Sequence, residues 1–167
     1  MKKILSFILD WVYQFPQMLM GAILVKVLKA KKRIHITNDG RQIEWHCFER
    51  NTKFSNYISG VSLSIYIILS DPTDETILHE HGHSTQSLIL GWLYLPIIGL
   101  WSVSCNLIDR YLHKDWSRYD RIYWYYIICK CERWADKLGK VDRKEVLRKI
   151  PRPSDAKYPA MENQKVA

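Results

Sequence analysis

The chain has 167 residues, room for one domain with a real core and too little for two comfortable ones. Its residues are 47% hydrophobic and 13% aromatic, which excludes a disordered chain. A formal net charge of +8 leaves two classes of acidic partner, nucleic acid and anionic lipid.

The placement of the charge separates these classes. Lys2 and Lys3 precede the first apolar segment, and Lys26, Lys29, Lys31, Lys32 and Arg33 follow it. Basic residues beside apolar runs suit lipid headgroups, and no nucleic-acid-binding motif accompanies them. Membrane lipids are therefore an expected partner and nucleic acid is not. The segment from Ile4 to Val25 is long enough to span a bilayer. A basic cluster follows it rather than a small-residue cleavage pattern, unlike a signal peptide. Asp10, Gln14 and Gln17 interrupt it and Pro16 predicts a break, so an interfacial or re-entrant helix is the alternative. In a spanning arrangement its C-terminal end is cytoplasmic, because the heavier positive charge lies there. Residues 1–30 are read as an N-terminal membrane-associated helix. Seven Trp and ten Tyr suit a core and equally a membrane–water boundary.

Arg33-Ile34-His35-Ile36-Thr37 alternates like a strand. Asn38-Asp39-Gly40 predicts a turn with a left-handed glycine, and Arg41 to Glu49 returns as a second strand. Val61 to Leu69, rich in β-branched and apolar residues, predicts a third. A helix follows, with Asp71 as N-cap, Pro72 at its first position and Asp74 in its first turn. It carries Glu75 to His83 and continues toward Leu90, with Gly91 as its end. A second apolar run, Leu88 to Ile108, holds Pro96 and Gly99 near its middle. Charge dominates from Asp109 to Arg121, and an aromatic stretch from Ile122 to Ile128 leads into Cys131-Glu132-Arg133-Trp134-Ala135-Asp136. The expected fold is α+β, a small antiparallel sheet of about three strands packed on helices. Residues 31–150 form the domain, 88–108 an apolar helical hairpin within it, and 151–167 a flexible polar tail. Cys47, Cys105, Cys129 and Cys131 do not make two CxxC pairs, which argues against a four-thiolate zinc site; a disulfide framework is the alternative, but a chain this apolar does not need one, and Cys105 in its apolar run suits a buried free thiol.

The chemistry lies in His79-Glu80-His81-Gly82-His83, an H-E-x-x-H motif. Positions i and i+4 share a helix face, so His79 and His83 can bind one ion, with Glu80 beside them to polarise a water on that ion. Zinc would lower the pKa of that water to about 7. His81 lies about 100° per residue away and cannot share the face. A catalytic zinc needs a third protein ligand. Glu132-Arg133-Trp134-Ala135-Asp136 offers E-x-x-x-D at helical spacing: Glu132 as third ligand and Asp136, one turn later, as acceptor for the free ring nitrogen of a ligand histidine. Cys129 and Cys131 offer a substitute thiolate.

H-E-x-G-H followed by E-x-x-A-D resembles the gluzincin metallopeptidases, including thermolysin and the membrane-embedded CAAX-prenyl-protease and HtpX-like enzymes. The resemblance covers the two site helices. It implies a zincin-like domain, Zn2+ as cofactor, His79, His83 and Glu132 as ligands, Glu80 as catalytic base and acid, and Asp136 behind a ligand. It also implies that the strand before the active-site helix pairs with extended substrate, a role for which Val61 to Leu69 stands in order. The family's transition-state-stabilising group has no motif match; His113, Tyr94 and Tyr126 are candidates by residue type. HGHSTQSLILGWLYLP with ERWADKLG is similar to a group of small bacterial membrane proteins.

His83 and Glu132 must meet at one ion, yet the run from Leu88 to Ile108 lies between them. A single crossing would need a second before Glu132. The run is therefore expected to bend near Pro96 and Gly99, dip into the bilayer and return, leaving the active site near the cytoplasmic face of a bacterial membrane. The mean hydropathy of −0.23 agrees with few spans. The leading expectation is a membrane-associated zinc peptidase acting on a peptide or protein substrate. The alternative is a non-catalytic zinc-stabilised scaffold or partner-binding protein.

Overall fold

The structure is a computed structural model that describes residues 11–37, 39–49, 60–70 and 72–161. The first described helix, α1 (Phe15–Val27), carries Pro16 in its opening turn, where a missing N–H costs nothing. Gln14, outside helical geometry, marks the break expected at that proline. Strands β1 (Lys31–Ile36) and β2 (Gln42–Cys47) form an antiparallel hairpin. Gly40 at its turn is left-handed, with φ 79°, as Asn38-Asp39-Gly40 implies; Asn38 itself lies outside the described residues.

The third expected strand is two. The run from Val61 to Leu69 folds back on itself as β3 (Gly60–Leu63) and β4 (Tyr66–Leu69). Ser64 takes φ 60° at the turn, a conformation that no Gly or Asn in the sequence announces. β4 also lies parallel to β2, with His46 opposite Ile68. Among the described residues the sheet is therefore four-stranded and mixed, in the order β1-β2-β4-β3, rather than three-stranded and antiparallel.

Helix α2 (Asp74–Leu90) crosses this sheet. Its N-cap is Thr73, whose hydroxyl accepts the Thr76 N–H at 3.2 Å. Pro72 precedes the cap, and Asp71, the expected cap, lies outside the described residues. Ile77 on α2 packs with Ile43, Trp45, Ile67 and Leu69 from the sheet. The helix stops at Gly91, as its sequence suggests.

The apolar run bends earlier than expected. A 3-10 turn (Gly91–Leu93) and a π-turn (Leu95–Gly99) lead into α3 (Leu100–Tyr111), and the two arms meet at 116° around Tyr94. Gly91 allows the turn: it has φ 54°, and a Cβ there would strike the Tyr13 ring. Pro96 falls in the first turn of the second arm, where it is tolerated, and Gly99 continues that arm. Beyond it come α4 (Arg118–Tyr123), a π-turn (Trp124–Ile128), α5 (Lys130–Gly139) and α6 (Arg143–Arg148). A second core joins Tyr94, Ile98 and Cys105 to Cys129 and Cys131. Residues 151–161 return to α4, where Tyr119 donates to the Pro159 carbonyl at 2.6 Å and Tyr123 stacks on Tyr158.

Among the described residues no single helix is long and apolar enough to cross a membrane; the bent pair passes only when its arms are taken together.

Candidate metal centre

The site is made where α2 and α5 cross. Two glycines allow the approach. A Cβ on Gly82 would overlap the Ala135 carbonyl oxygen, and one on Gly139 would overlap that of Leu78. With backbones this close, a glutamate on α5 reaches histidines on α2.

His79 and His83 project from one face of α2, as their spacing requires. His79 Nε2 lies 3.0 Å from Glu132 Oε2, and His83 Nε2 lies 3.2 Å from the same oxygen. The three side chains are buried, Glu132 at 1% exposure. One ligand atom from each lies within 4.8 Å of the others, so the group can hold a metal ion; the same atoms also make ion pairs.

The far sides of the rings fix their protons. Asp136 Oδ1 accepts from His79 Nδ1 at 2.7 Å. Gln86 Oε1 takes the His83 Nδ1–H at 2.7 Å, while Gln86 Nε2 donates to the Cys131 carbonyl at 2.9 Å. Because a carboxylate and an amide oxygen only accept, both Nδ1 atoms carry hydrogen. A neutral ring then turns the lone pair of Nε2 toward Glu132. Two lone pairs and a carboxylate oxygen converging in a buried space need a cation or a proton between them.

The titration of these groups reflects that need. Burial alone would lower His79, but its bonds to Asp136 and Glu132 raise it to about 9. Burial would raise Glu132, yet the two histidines hold it well below the usual carboxylate range. Asp136 is likewise held down against burial by His79 and Arg143. The Arg143 fork reaches both Asp136 oxygens, Nε to Oδ2 at 3.0 Å and Nη2 to Oδ1 at 2.8 Å. Its guanidinium also stacks 3.7 Å above the Tyr126 ring, which meets the His79 ring edge-on.

Glu80 lies beside the cluster, buried, with its Oε1 against Gly60 of β3; a Cβ on Gly60 would crowd that oxygen. Burial pushes the Glu80 carboxyl up and Glu132 adds to this, against the opposing influence of His83 and His79. Among the described residues β3 is the last strand of the sheet on this side. Ser62 on it bonds Ser84 of α2 through their hydroxyls at 2.8 Å, and Tyr94 donates to the Ser62 carbonyl at 3.1 Å. Burial raises the Tyr94 hydroxyl, with Glu80 and Glu132 next in influence.

The structure thus brings together His79, His83, Glu132 and Asp136, with Glu80, Tyr94 and Tyr126 around them. His113 is elsewhere, stacked on Trp116 with ring centroids 3.6 Å apart. His81 stays off the shared face. Cys131 donates its thiol to Glu132 Oε1 at 3.6 Å; burial, then Glu132, pushes that thiol up, which disfavours a thiolate. Sequence reasoning missed Gln86 and Arg143. Gln86 was detectable, three residues after His83 on the same helix. Arg143 was not, because it enters from the next helix after a left-handed turn at Lys140.

No protein-family model matches the chain, and no significant match was found among curated proteins or solved structures.

Proposed function

We propose that this protein is a zinc-dependent peptidase of the gluzincin type that acts on peptide or protein substrates beside a membrane. The observation that carries the reading is the convergence of His79 Nε2, His83 Nε2 and Glu132 Oε2, each ring locked from behind by Asp136 or Gln86. The donor set suits zinc. Ligands about 2.0–2.1 Å from a tetrahedral ion stand about 3.3 Å apart, close to the 3.0 and 3.2 Å found here. Zinc held by these side chains would supply Lewis acidity at neutral pH, its usual contribution to amide hydrolysis.

The chain's own groups supply the remainder. Glu80, next to His79 on the same helix and buried beside the cluster, takes a proton from the attacking water at a carboxylate oxygen and returns it to the leaving amine. β3 offers an edge beside Glu80 along which an extended peptide can add as a further strand. Tyr94, anchored to that edge through Ser62, is the candidate to meet charge on the substrate carbonyl.

The depth of the cluster favours a second reading, a metal-stabilised scaffold without turnover, since all three donors are at most 5% exposed. One pair of measurements separates the two. Purified wild-type protein is expected to hold one zinc per chain by metal analysis, and Glu132→Ala none. Glu80→Gln should keep zinc and fold but lose cleavage of a quenched fluorescent peptide library. A zinc-loaded wild type that cleaves no peptide, with Glu80→Gln indistinguishable from it, supports the scaffold.

A further inference from the structure

We infer that the protein lies in one leaflet of an anionic bilayer through an apolar face formed by α1 and the bent run after α2, without crossing the membrane. Nothing in this placement depends on hydrolysis.

The face is large and uncharged. No Asp, Glu, Lys, Arg or His occurs between Trp11 and Val25 or between Leu88 and Ile108. Phe15, Leu19 and Ile23 form an exposed stripe on α1, and Leu100, Val103 and Leu107 form one on α3, each residue at 41% exposure or more. At the bend, Trp92 and Leu93 are 59% and 57% exposed. Soluble monomers seldom expose apolar surface on this scale. α1 and the end of α2 are bound together: Gln17 donates to the Gly91 carbonyl at 2.7 Å and Trp92 to the Val12 carbonyl at 2.7 Å.

The polar groups within the face point to hydrocarbon as its cover. Here Tyr13 bonds the Ile89 carbonyl at 3.0 Å, Trp92 bonds Val12, and Ser104 bonds back to the Leu100 carbonyl at 2.7 Å. Ser102 and Asn106 bond Tyr125. Donors that satisfy themselves within the protein are what a lipid environment demands. Charge complements this picture. Lys26 in the last turn of α1 and Lys29, Lys31, Lys32 and Arg33 after it are all exposed, where they would meet acidic headgroups.

Length argues against a span. Among the described residues the two arms turn through 116°, and neither is both long and apolar enough to cross alone. For the described residues, helices lying in the plane with Trp and Tyr at the interface fit this geometry. His83 lies five residues before Leu88 on one helix, about 7.5 Å along its axis. The buried His79, His83 and Glu132 cluster would then lie close to the headgroup layer.

The test uses the full chain, metal-loaded as purified, with vesicles of phosphatidylethanolamine and phosphatidylglycerol, and vesicles of phosphatidylcholine alone. Flotation should recover it with the anionic vesicles, with at least tenfold weaker binding to neutral ones. Brominated acyl chains should quench its tryptophan fluorescence. A membrane-impermeant amine reagent, read by mass spectrometry, should label Lys29 and Lys114 from the same side. Leu93→Glu with Leu100→Glu should reduce binding at least tenfold at unchanged circular dichroism and zinc content. Labelling of the two lysines from opposite sides would overturn the inference. So would binding by the double variant equal to wild type, or failure of the wild type to bind vesicles while it self-associates in solution.

Discussion

Asp136→Asn tests the centre most directly, because it changes one oxygen to an amide with little change in shape. In the native site Oδ1 accepts from His79 and from Arg143 Nη2, and Oδ2 accepts from Arg143 Nε. Asparagine has a single acceptor oxygen. If that oxygen faces His79, the new NH2 opposes the Arg143 Nε–H, donor against donor, and a buried charge-assisted bond worth about 1.5–3 kcal/mol is lost. If the amide flips, the NH2 faces His79 Nδ1, which must become an acceptor; the ring hydrogen moves to Nε2 and points at Glu132, where a cation would bind. Either way the orienting contact behind a ligand is damaged, and zinc affinity should fall about 10- to 100-fold, or about 1.4–2.8 kcal/mol. Competition with a chromophoric chelator measures this, and urea unfolding of metal-free protein measures the loss at Arg143. A variant that binds zinc as tightly as wild type, with its fold intact, would refute the claim that Asp136 orients His79.

Gly82→Ala should cost about 3 kcal/mol in urea unfolding and lower zinc content, because its methyl forces α2 away from Ala135. In an active enzyme Glu80→Gln should lower kcat by about 100- to 10,000-fold with zinc retained, read by peptide cleavage. Metal-free protein should lose stability as pH rises. His79 is raised from 6.5 to about 9 on folding, so its contribution is full below pH 6.5 and gone above pH 9. Urea midpoints across that range test the sign, and zinc, by replacing the proton, should abolish this slope. A midpoint that climbs between pH 6.5 and 9 would contradict the bonds drawn to Asp136 and Glu132.

The site was more legible than the fold. The i, i+4 histidines and the E-x-x-x-D pair each follow from helical period, and period survives any tertiary context. Their convergence was an inference from chemistry, since nothing in either segment encodes the distance between them. Gly82 carried that information in a form readable only with the partner helix at hand. The sheet was harder because β3 and β4 are four residues each, and a serine at positive φ supplies the turn that a glycine would have signalled. The bend, centred on Tyr94 just before Pro96, draws on Gly91 for a related reason. Proline tolerates a first turn, and only the Tyr13 ring against Gly91 shows which residue had to give up its side chain.

The helix crossing and the ligand set depend on each other. Glu132, Asp136 and the two histidines are charged or polar groups deep in a small protein, and leaving one of them unpaired there would cost several kcal/mol. A short glutamate reaches both rings only because Gly82 and Gly139 bring the backbones into contact. That contact in turn is tolerable only if the buried groups neutralise one another. Arg143 balances Asp136, but Glu132 has no cation beside it, only the two rings and the weak Cys131 thiol donor, and the rings' Nδ1 hydrogens are already committed. In the absence of metal, the proton held on His79 fills the gap. A divalent cation would fill it better, because it satisfies both Nε2 lone pairs and the carboxylate at once. Metal binding here should therefore act as a folding energy, and chelation should lower the unfolding temperature of the whole domain rather than loosen one loop.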